Sequence, residues 1–288
     1  MKTYKIRNNY CEVQIFGSIL KSFKIISSSK KYDLLGFDQK NHAFSFIMAP
    51  WANRVKNGKF NSNKGSFDLS SSNPFNIKHA IHGTVMFSEW NLEQINNNSV
   101  TISASLSDPW PYKGLVTLTL SLNNKSLLQE LSIINQDSEI MPFSMGWHPW
   151  FKRYLGKEDL KVIFDAKYKW ETFDGIPTSN KINTPEIFEA LDGFSPKPGT
   201  LDECYRIKDR SNIYLKWPEL TLKIRSSLEC GHLMVYTPSG PLSNLLCVEP
   251  QTATINCFQL NDDAIEDTGI LFLSPNNKHT IFTEWSWE

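Results

Sequence analysis

Val116-Thr117-Leu118-Thr119-Leu120-Ser121-Leu122 alternates apolar and hydroxyl side chains without a break. Successive residues of a β-strand point to opposite faces, so this run reads as a strand with one buried and one wetter face. The pattern recurs on both sides of it. Val100, Ile102, Ala104 and Leu106 share one face, as do Leu127, Leu131 and Ile133, then Leu160, Val162 and Phe164. Ile213, Leu215 and Trp217 follow, and after them Leu222 and Ile224. Turn formers separate the runs: Asp108-Pro109-Trp110-Pro111, Asn123-Asn124, Asp174-Gly175 and Pro238-Ser239-Gly240. One-sided alternation marks antiparallel sheets, whereas buried parallel strands read as continuous apolar runs.

Only one short helix is signalled. Thr184 can cap it, Pro185 suits its first position, Glu186 to Leu191 are good helix material and Gly193 can close it. There is no strand–helix–strand alternation and no internal repeat. Ser195-Pro196-Lys197-Pro198-Gly199 reads as a loop within a domain, because strand patterning resumes beyond it. The expectation is a single all-β domain over residues 1–288, a large antiparallel β-sandwich.

Composition narrows the function. Lys+Arg and Asp+Glu both number 30, and no dense basic cluster occurs. Nucleic acid and anionic membranes are bound by basic excess or basic patches, so neither is an expected partner. The five cysteines are odd in number and none is spaced C-x-x-C, which argues against a disulfide framework or zinc knuckle and for a reducing compartment. The start of the chain lacks a secretory apolar region, and no run is long enough to span a membrane, so a cytoplasmic location is expected. No P-loop, G-x-G-x-x-G or G-x-S-x-G is present, and no cofactor is expected.

Five places carry polar groups that a plain core would not ask for. Met141-Pro-Phe-Ser-Met-Gly146-Trp-His148-Pro149-Trp150-Phe151 sets one histidine in an aromatic stretch, boxed in by Trp147, Pro149 and Trp150. Pro149 disfavours a helical His148, and Gly146 allows an unusual backbone before it. Arg54, after Pro50-Trp51-Ala52-Asn53, is either a surface ion-pair residue or a donor on a cleft wall. His79-Ala80-Ile81-His82-Gly83 has metal-like spacing, but positions i and i+3 of a strand face opposite ways, so no metal set is expected. Asp202 in Leu201-Asp202-Glu203-Cys204-Tyr205 reads as a solvated turn. Glu249, between Leu245-Leu-Cys-Val248 and Pro250, should end its strand near a rim, either in water or desolvated as a general base.

Together these places resemble the aldose 1-epimerase (galactose mutarotase) family. The resemblance runs along nearly the whole chain: Asn53-Arg54 with Asn57-Gly58-Lys59-Phe60, then His82-Gly83, Asn135, Pro142-x-x-x-Gly146-x-His148-Pro149, Asp202 and Glu249-Pro250. It implies a mutarotase-like β-sandwich that interconverts the anomers of a free aldose without a cofactor. By the same resemblance Glu249 is the base for the anomeric hydroxyl and His148 the acid for the ring oxygen. Arg54, His82, Asp202 and Asn53 would hold the sugar. Trp150 stands where the family often has tyrosine, a departure bearing on sugar preference. Three alternatives stay open. A hexose-6-phosphate epimerase would need basic groups at the cleft, from Lys56, Lys59, Lys78 or Arg153. A non-catalytic sugar-binding protein would not need both His148 and Glu249. A cupin-type metal isomerase would use His79, His82, His148 and Glu249.

Overall fold

The alternating runs pair as their faces require. In the computed structural model, which describes residues 2–27, 30–72, 75, 77–208 and 212–288, Gly114–Asn123 alternates buried and half-buried residues along nearly its whole length. It lies between Ser99–Ser105 and Ser126–Asn135, antiparallel to both. The 8-stranded sheet built on it continues through Lys278–Trp287, Thr221–Ser226 and Ile213–Lys216 to Lys161–Ile163. Among the described residues each pairing in this sheet is antiparallel.

A second 8-stranded sheet carries the polar groups of interest. Its order is Ile176–Ile182, Ala166–Phe173, Asp202–Ile207, His232–Tyr236, Leu245–Gln251, Gly146–His148 and Phe46–Met48, with Trp150–Lys152 also paired to Leu245–Gln251. Alternation sorts its side chains. Ile47, Trp147, Phe151, Leu233, Val235, Leu246 and Val248 join Val116, Leu118 and Leu120 of the first sheet in one core. Phe151 meets Trp285 of the first sheet with ring centroids 5.2 Å apart. The intervening residues, Phe46, Met48, Trp150, Met234 and Cys247 among them, lie outside that core in smaller clusters on the opposite face. The sandwich is therefore closed by one face of this sheet, and the other face is free to build a cleft.

The expected helix forms over Pro185–Asp192 with Thr184 at its N-cap and Gly193 at its C-cap, although Thr184 makes no side-chain cap bond. A second helix, Cys257–Asp262, was not signalled by apolar periodicity. Among the described residues no helix is long and apolar enough to cross a membrane.

Two readings of the chain are corrected. The strand that carries Glu249 does not stop there; it runs through Pro250 to Gln251 and is buried at every position. Neighbours on both sides hold it in the sheet. Gly146 does not need an unusual backbone, since it is not among the glycines with positive φ. It needs the absence of a Cβ, which would lie 2.6 Å from Gln251 Cβ and 2.8 Å from Pro250 O. Gly146→Ala should push these strands apart and cost about 1–3 kcal/mol of stability, as other overpacked sites do. Gly156→Ala, whose only close neighbour is the flexible end of Glu219, should leave the thermal midpoint nearly unchanged. Equal midpoints for the two variants would refute the close-approach argument.

Candidate active site

His148 and Glu249 are brought together by strand register. Gly146 pairs with Gln251, and Trp150 with Cys247. Counting inward from either end sets His148 directly opposite Glu249. Opposed residues of antiparallel strands have Cβ atoms only about 4.5–5.5 Å apart, and His148 Nε2 lies 3.3 Å from Glu249 Oε1. Both are buried, His148 at 7% exposure and Glu249 at 1%.

The imidazole is held by rings. Phe46 stacks on it at 4.7 Å and Trp150 at 5.6 Å, while His82 meets it edge-on at 4.8 Å. Trp147, read as part of this wall, instead points into the sandwich core, because it is one residue away on an alternating strand. Phe46 was invisible to sequence reasoning; it lies about a hundred positions upstream and reaches His148 only through strand pairing.

His82 and Asn53 come from loops laid over the sheet. Both adopt left-handed backbones, with φ of 64° and 58°, which non-glycine residues rarely do outside constrained sites. The His82 N–H donates to Asn53 O at 3.0 Å. Gly83 packs on Ala49 so closely that a Cβ would come within 1.9 Å of Ala49 O. His82 Nδ1 is 3.0 Å from Met48 Sδ. Asn53 Oδ1 accepts from the Arg54 N–H at 2.9 Å.

Arg54 and Asp202 form the polar rim. Asp202 is not in a turn; it opens the strand Asp202–Ile207, opposite Tyr236. Arg54 Nη2 donates to Asp202 Oδ2 at 2.7 Å. The two readings left open for Arg54 therefore merge, since it is ion-paired and also lines the cleft. Arg54, Asn53, His82, His148, Asp202 and Glu249 share one cavity of about 250 Å³ with Phe46, Trp150 and Tyr236. That is near the lower end of ligand clefts, roughly 300–1,000 Å³, and suits a small ligand. A larger hollow of about 660 Å³ by Ile140 and Phe272 is lined by no histidine.

Other predicted groups lie elsewhere. His79 Nδ1 accepts the Asn57 N–H at 3.0 Å. Asn135 is structural, its amide donating to Glu139 O and Leu273 O. Arg153 is buried against Asp159 and Pro196 O. Lys59 pairs with Asp68 and Lys78 with Asp174. None of Lys56, Lys59, Lys78 and Arg153 lines the cavity. Among the described residues, the group of metal-ligating types that gathers is His148, Cys247 and Glu249, not the set containing His79 and His82.

Burial opposes charge on the central pair. It draws the His148 pKa down to about 3, with Arg54 adding to the effect. It raises Glu249 well above the usual carboxylate range, with Asp202 next, while Arg54 opposes the rise. His82 is lowered by burial, then by His148 and Arg54. Glu249 Oε2 and His148 Nδ1 are buried without a hydrogen-bond partner, which is costly unless a ligand supplies one.

These features coincide with a family. The aldose 1-epimerase family model matches residues 2–284, and the chain belongs to that family. It is 28% identical over 243 residues to the uncharacterized protein YihR of Escherichia coli strain K12, covering 82% of this chain and 76% of that one. The fold matches a galactose mutarotase-like protein of Clostridium acetobutylicum with a TM-score of 0.85 at 20% identity, covering 99% and 94% of the two chains. It also matches a GalM/aldose epimerase homologue of C. elegans with a TM-score of 0.79 at 16% identity, covering 100% and 98%.

The uncharged histidines predict an acid weakness. Unfolded histidines take up protons below about pH 6.5, whereas folded His232 and His148 wait until about 4 and about 3. At His232 the unfolded state then binds more protons, so stability is lost as pH falls through that window, whereas at the central pair the proton held on folded Glu249 offsets the one that unfolded His148 takes up. Thermal midpoints measured from neutral pH down to pH ~4 should fall, and fall less steeply in His148→Asn. Identical slopes would mean that folded His148 titrates normally.

Proposed function

We propose that the chain interconverts the α and β anomers of a free, uncharged aldose by acid–base ring opening, without a cofactor. The observation that carries this reading is the buried His148–Glu249 pair, 3.3 Å apart in a cavity of about 250 Å³. Ring opening removes the anomeric hydroxyl proton and delivers one to the ring oxygen. Glu249 removes the first and His148 supplies the second. The C1–O5 bond breaks as the C1 carbonyl forms. Rotation about C1–C2 and closure, with the roles exchanged, gives the other anomer. Arg54, His82, Asp202 and Asn53 hold hydroxyls around the ring. The family assignment supports sugar epimerisation as the general activity.

The proton count supports these roles. Burial favours a neutral His148 beside a protonated Glu249. The ionic form, with imidazolium and carboxylate, holds the same single exchangeable proton. Opening converts the ionic form to the neutral one, and closure restores it. The pair thus shuttles between two isomers, and the proton need not come from solvent. A non-catalytic binding protein would gain nothing from two buried groups that resist charging. An uncharged substrate fits a cavity that, among the described residues, is lined by no lysine.

Polarimetry of freshly dissolved α-glucose and α-galactose tests the activity. Wild type should speed the drift to equilibrium, and His148→Asn and Glu249→Gln should each lower kcat by roughly 10²-fold or more. If neither hexose responds but hexose 6-phosphates do, the uncharged-substrate reading falls; sugar binding without turnover would favour the binding-protein alternative.

A second expectation concerns pH. A shared proton should leave kcat/KM flat through neutrality, with no break near the ordinary histidine value of about 6.5. The acid limb should be displaced towards about 3, where His148 takes up a second proton. Activity lost above a break near 6.5 would show that His148 titrates alone.

A further inference from the structure

We propose that His148, Cys247 and Glu249 form a binding site for a thiophilic divalent cation, Zn²⁺ or Cd²⁺, and that the bound cation switches off ring opening. The inhibitory consequence rests on the proposed function; the metal site itself does not.

Cys247 precedes Glu249 by two residues on one strand, so both side chains emerge on the cleft face. Register sets Cys247 opposite Trp150, two positions from His148 on the facing segment. One nitrogen, one sulfur and one carboxylate oxygen from the three residues lie within 4.8 Å of one another. Ligands of a tetrahedral zinc at 2.0–2.3 Å are roughly 3.3–3.8 Å apart, so side-chain shifts of about 1 Å would close the set. Imidazole, thiolate and carboxylate are the donor types that zinc takes, and three protein ligands leave a fourth position for water or a sugar oxygen.

A second observation points to a ligand here. Glu249, 1% exposed, has its Oε2 buried and unpartnered, so the centre has acceptor capacity that protein groups do not use. The bland reading of Cys247 is packing, since it touches the cluster of Ala43, Trp150 and Leu245. Among the described residues Cys11, Cys204, Cys230 and Cys257 join no group of metal-ligating side chains. Coordination requires the thiolate, so the cation displaces the thiol proton to water, and binding strengthens as pH rises. Once bound, it occupies the lone pairs on which both proton transfers depend, and it competes with the sugar.

The test uses the full chain, stripped with a chelator and titrated with Cd²⁺ while the ultraviolet cadmium–thiolate absorption is recorded. Wild type should show this band saturating at one equivalent. Cys247→Ser and Cys247→Ala should abolish it, and His148→Asn should weaken binding by about tenfold or more. Saturating Zn²⁺ should slow wild-type mutarotation by about tenfold or more, with recovery on adding chelator. Both Cys247 variants should hold their own metal-free rates. A band that persists in both Cys247 variants, or no band in wild type, overturns the proposal. Cation binding as described in a chain that accelerates no aldose would refute the proposed function and leave the metal site standing. Mutarotation undisturbed by a bound cation would refute the inhibition.

Discussion

The site depends on one interrupted ladder. The strand Leu245–Gln251 pairs with Gly146 at one end and with Trp150–Lys152 at the other, in a single register. Between those anchors lie Pro149 and Pro250. Neither has an N–H to give, so the ladder cannot be completed there. The structure tolerates the gap because the strand is tied on its other edge to His232–Tyr236 at five positions. The opening falls at His148 and Glu249. A continuous ladder would have held the same two residues opposite each other as ordinary cross-strand neighbours. The prolines loosen the backbone hydrogen bonding around them while the flanking pairs fix their register. A shift by one residue would turn His148 and Glu249 into the apolar core and bring Trp147 and Val248 into the cleft.

This constraint explains why the surrounding loops are so tightly specified. A cross-strand pair on an open sheet face would be solvated, and its pKa values would stay ordinary. Burial comes from neighbours on the same face, Phe46 and Trp150 against the imidazole, and from elements laid over it, Arg54–Val55 paired with Ala80–Ile81. Asn53 and His82 hold left-handed backbones there, and Gly83 rests on Ala49 without room for a Cβ. Such conformations cost of order 1–3 kcal/mol each and persist where the surroundings fix them. They put two polar side chains and the adjacent guanidinium on the wall of a desolvated pair, where electrostatic interactions are stronger than in water.

The fold was legible because its signal is local. The alternation from Val116 to Leu122 needs no partner to be read, and the structure buries the face it predicts. The turn at Asp174-Gly175 was legible for the same reason, and the one expected at Asn123-Asn124 forms one residue on, at Asn124-Lys125. The site was legible only in part. His148 and Glu249 stood out as polar residues in apolar runs, yet nothing local says they are opposed; that fact resides in register. Glu249 was misread as a strand end because a proline usually stops a central strand, and the compensation by the far edge is not local. Asp202 looked like a solvated turn because its partner, Arg54, is 148 residues away. Phe46 carried no signal. Cys247 did carry one, since strand alternation alone places it on the face of Glu249, but a cysteine amid apolar residues is more often core.

The Arg54–Asp202 pair then takes on a particular weight. Its two ends come from the covering segment and from the sheet, and both line the cavity that holds His148 and Glu249. Its charges act on the central pair with opposite signs: Arg54 lowers the Glu249 pKa, and Asp202 raises it. With the ion pair closed, the two effects partly cancel, and burial decides in favour of the uncharged form. A sugar hydroxyl that drew Asp202 away from Arg54 would leave the guanidinium freer to favour a carboxylate at Glu249. Under the proposed mechanism the ionic form opens the ring, so substrate binding at the rim and proton position at the centre would be linked through Asp202. The linkage requires no motion of the sheet, only a change of hydrogen-bond partner at the cleft wall.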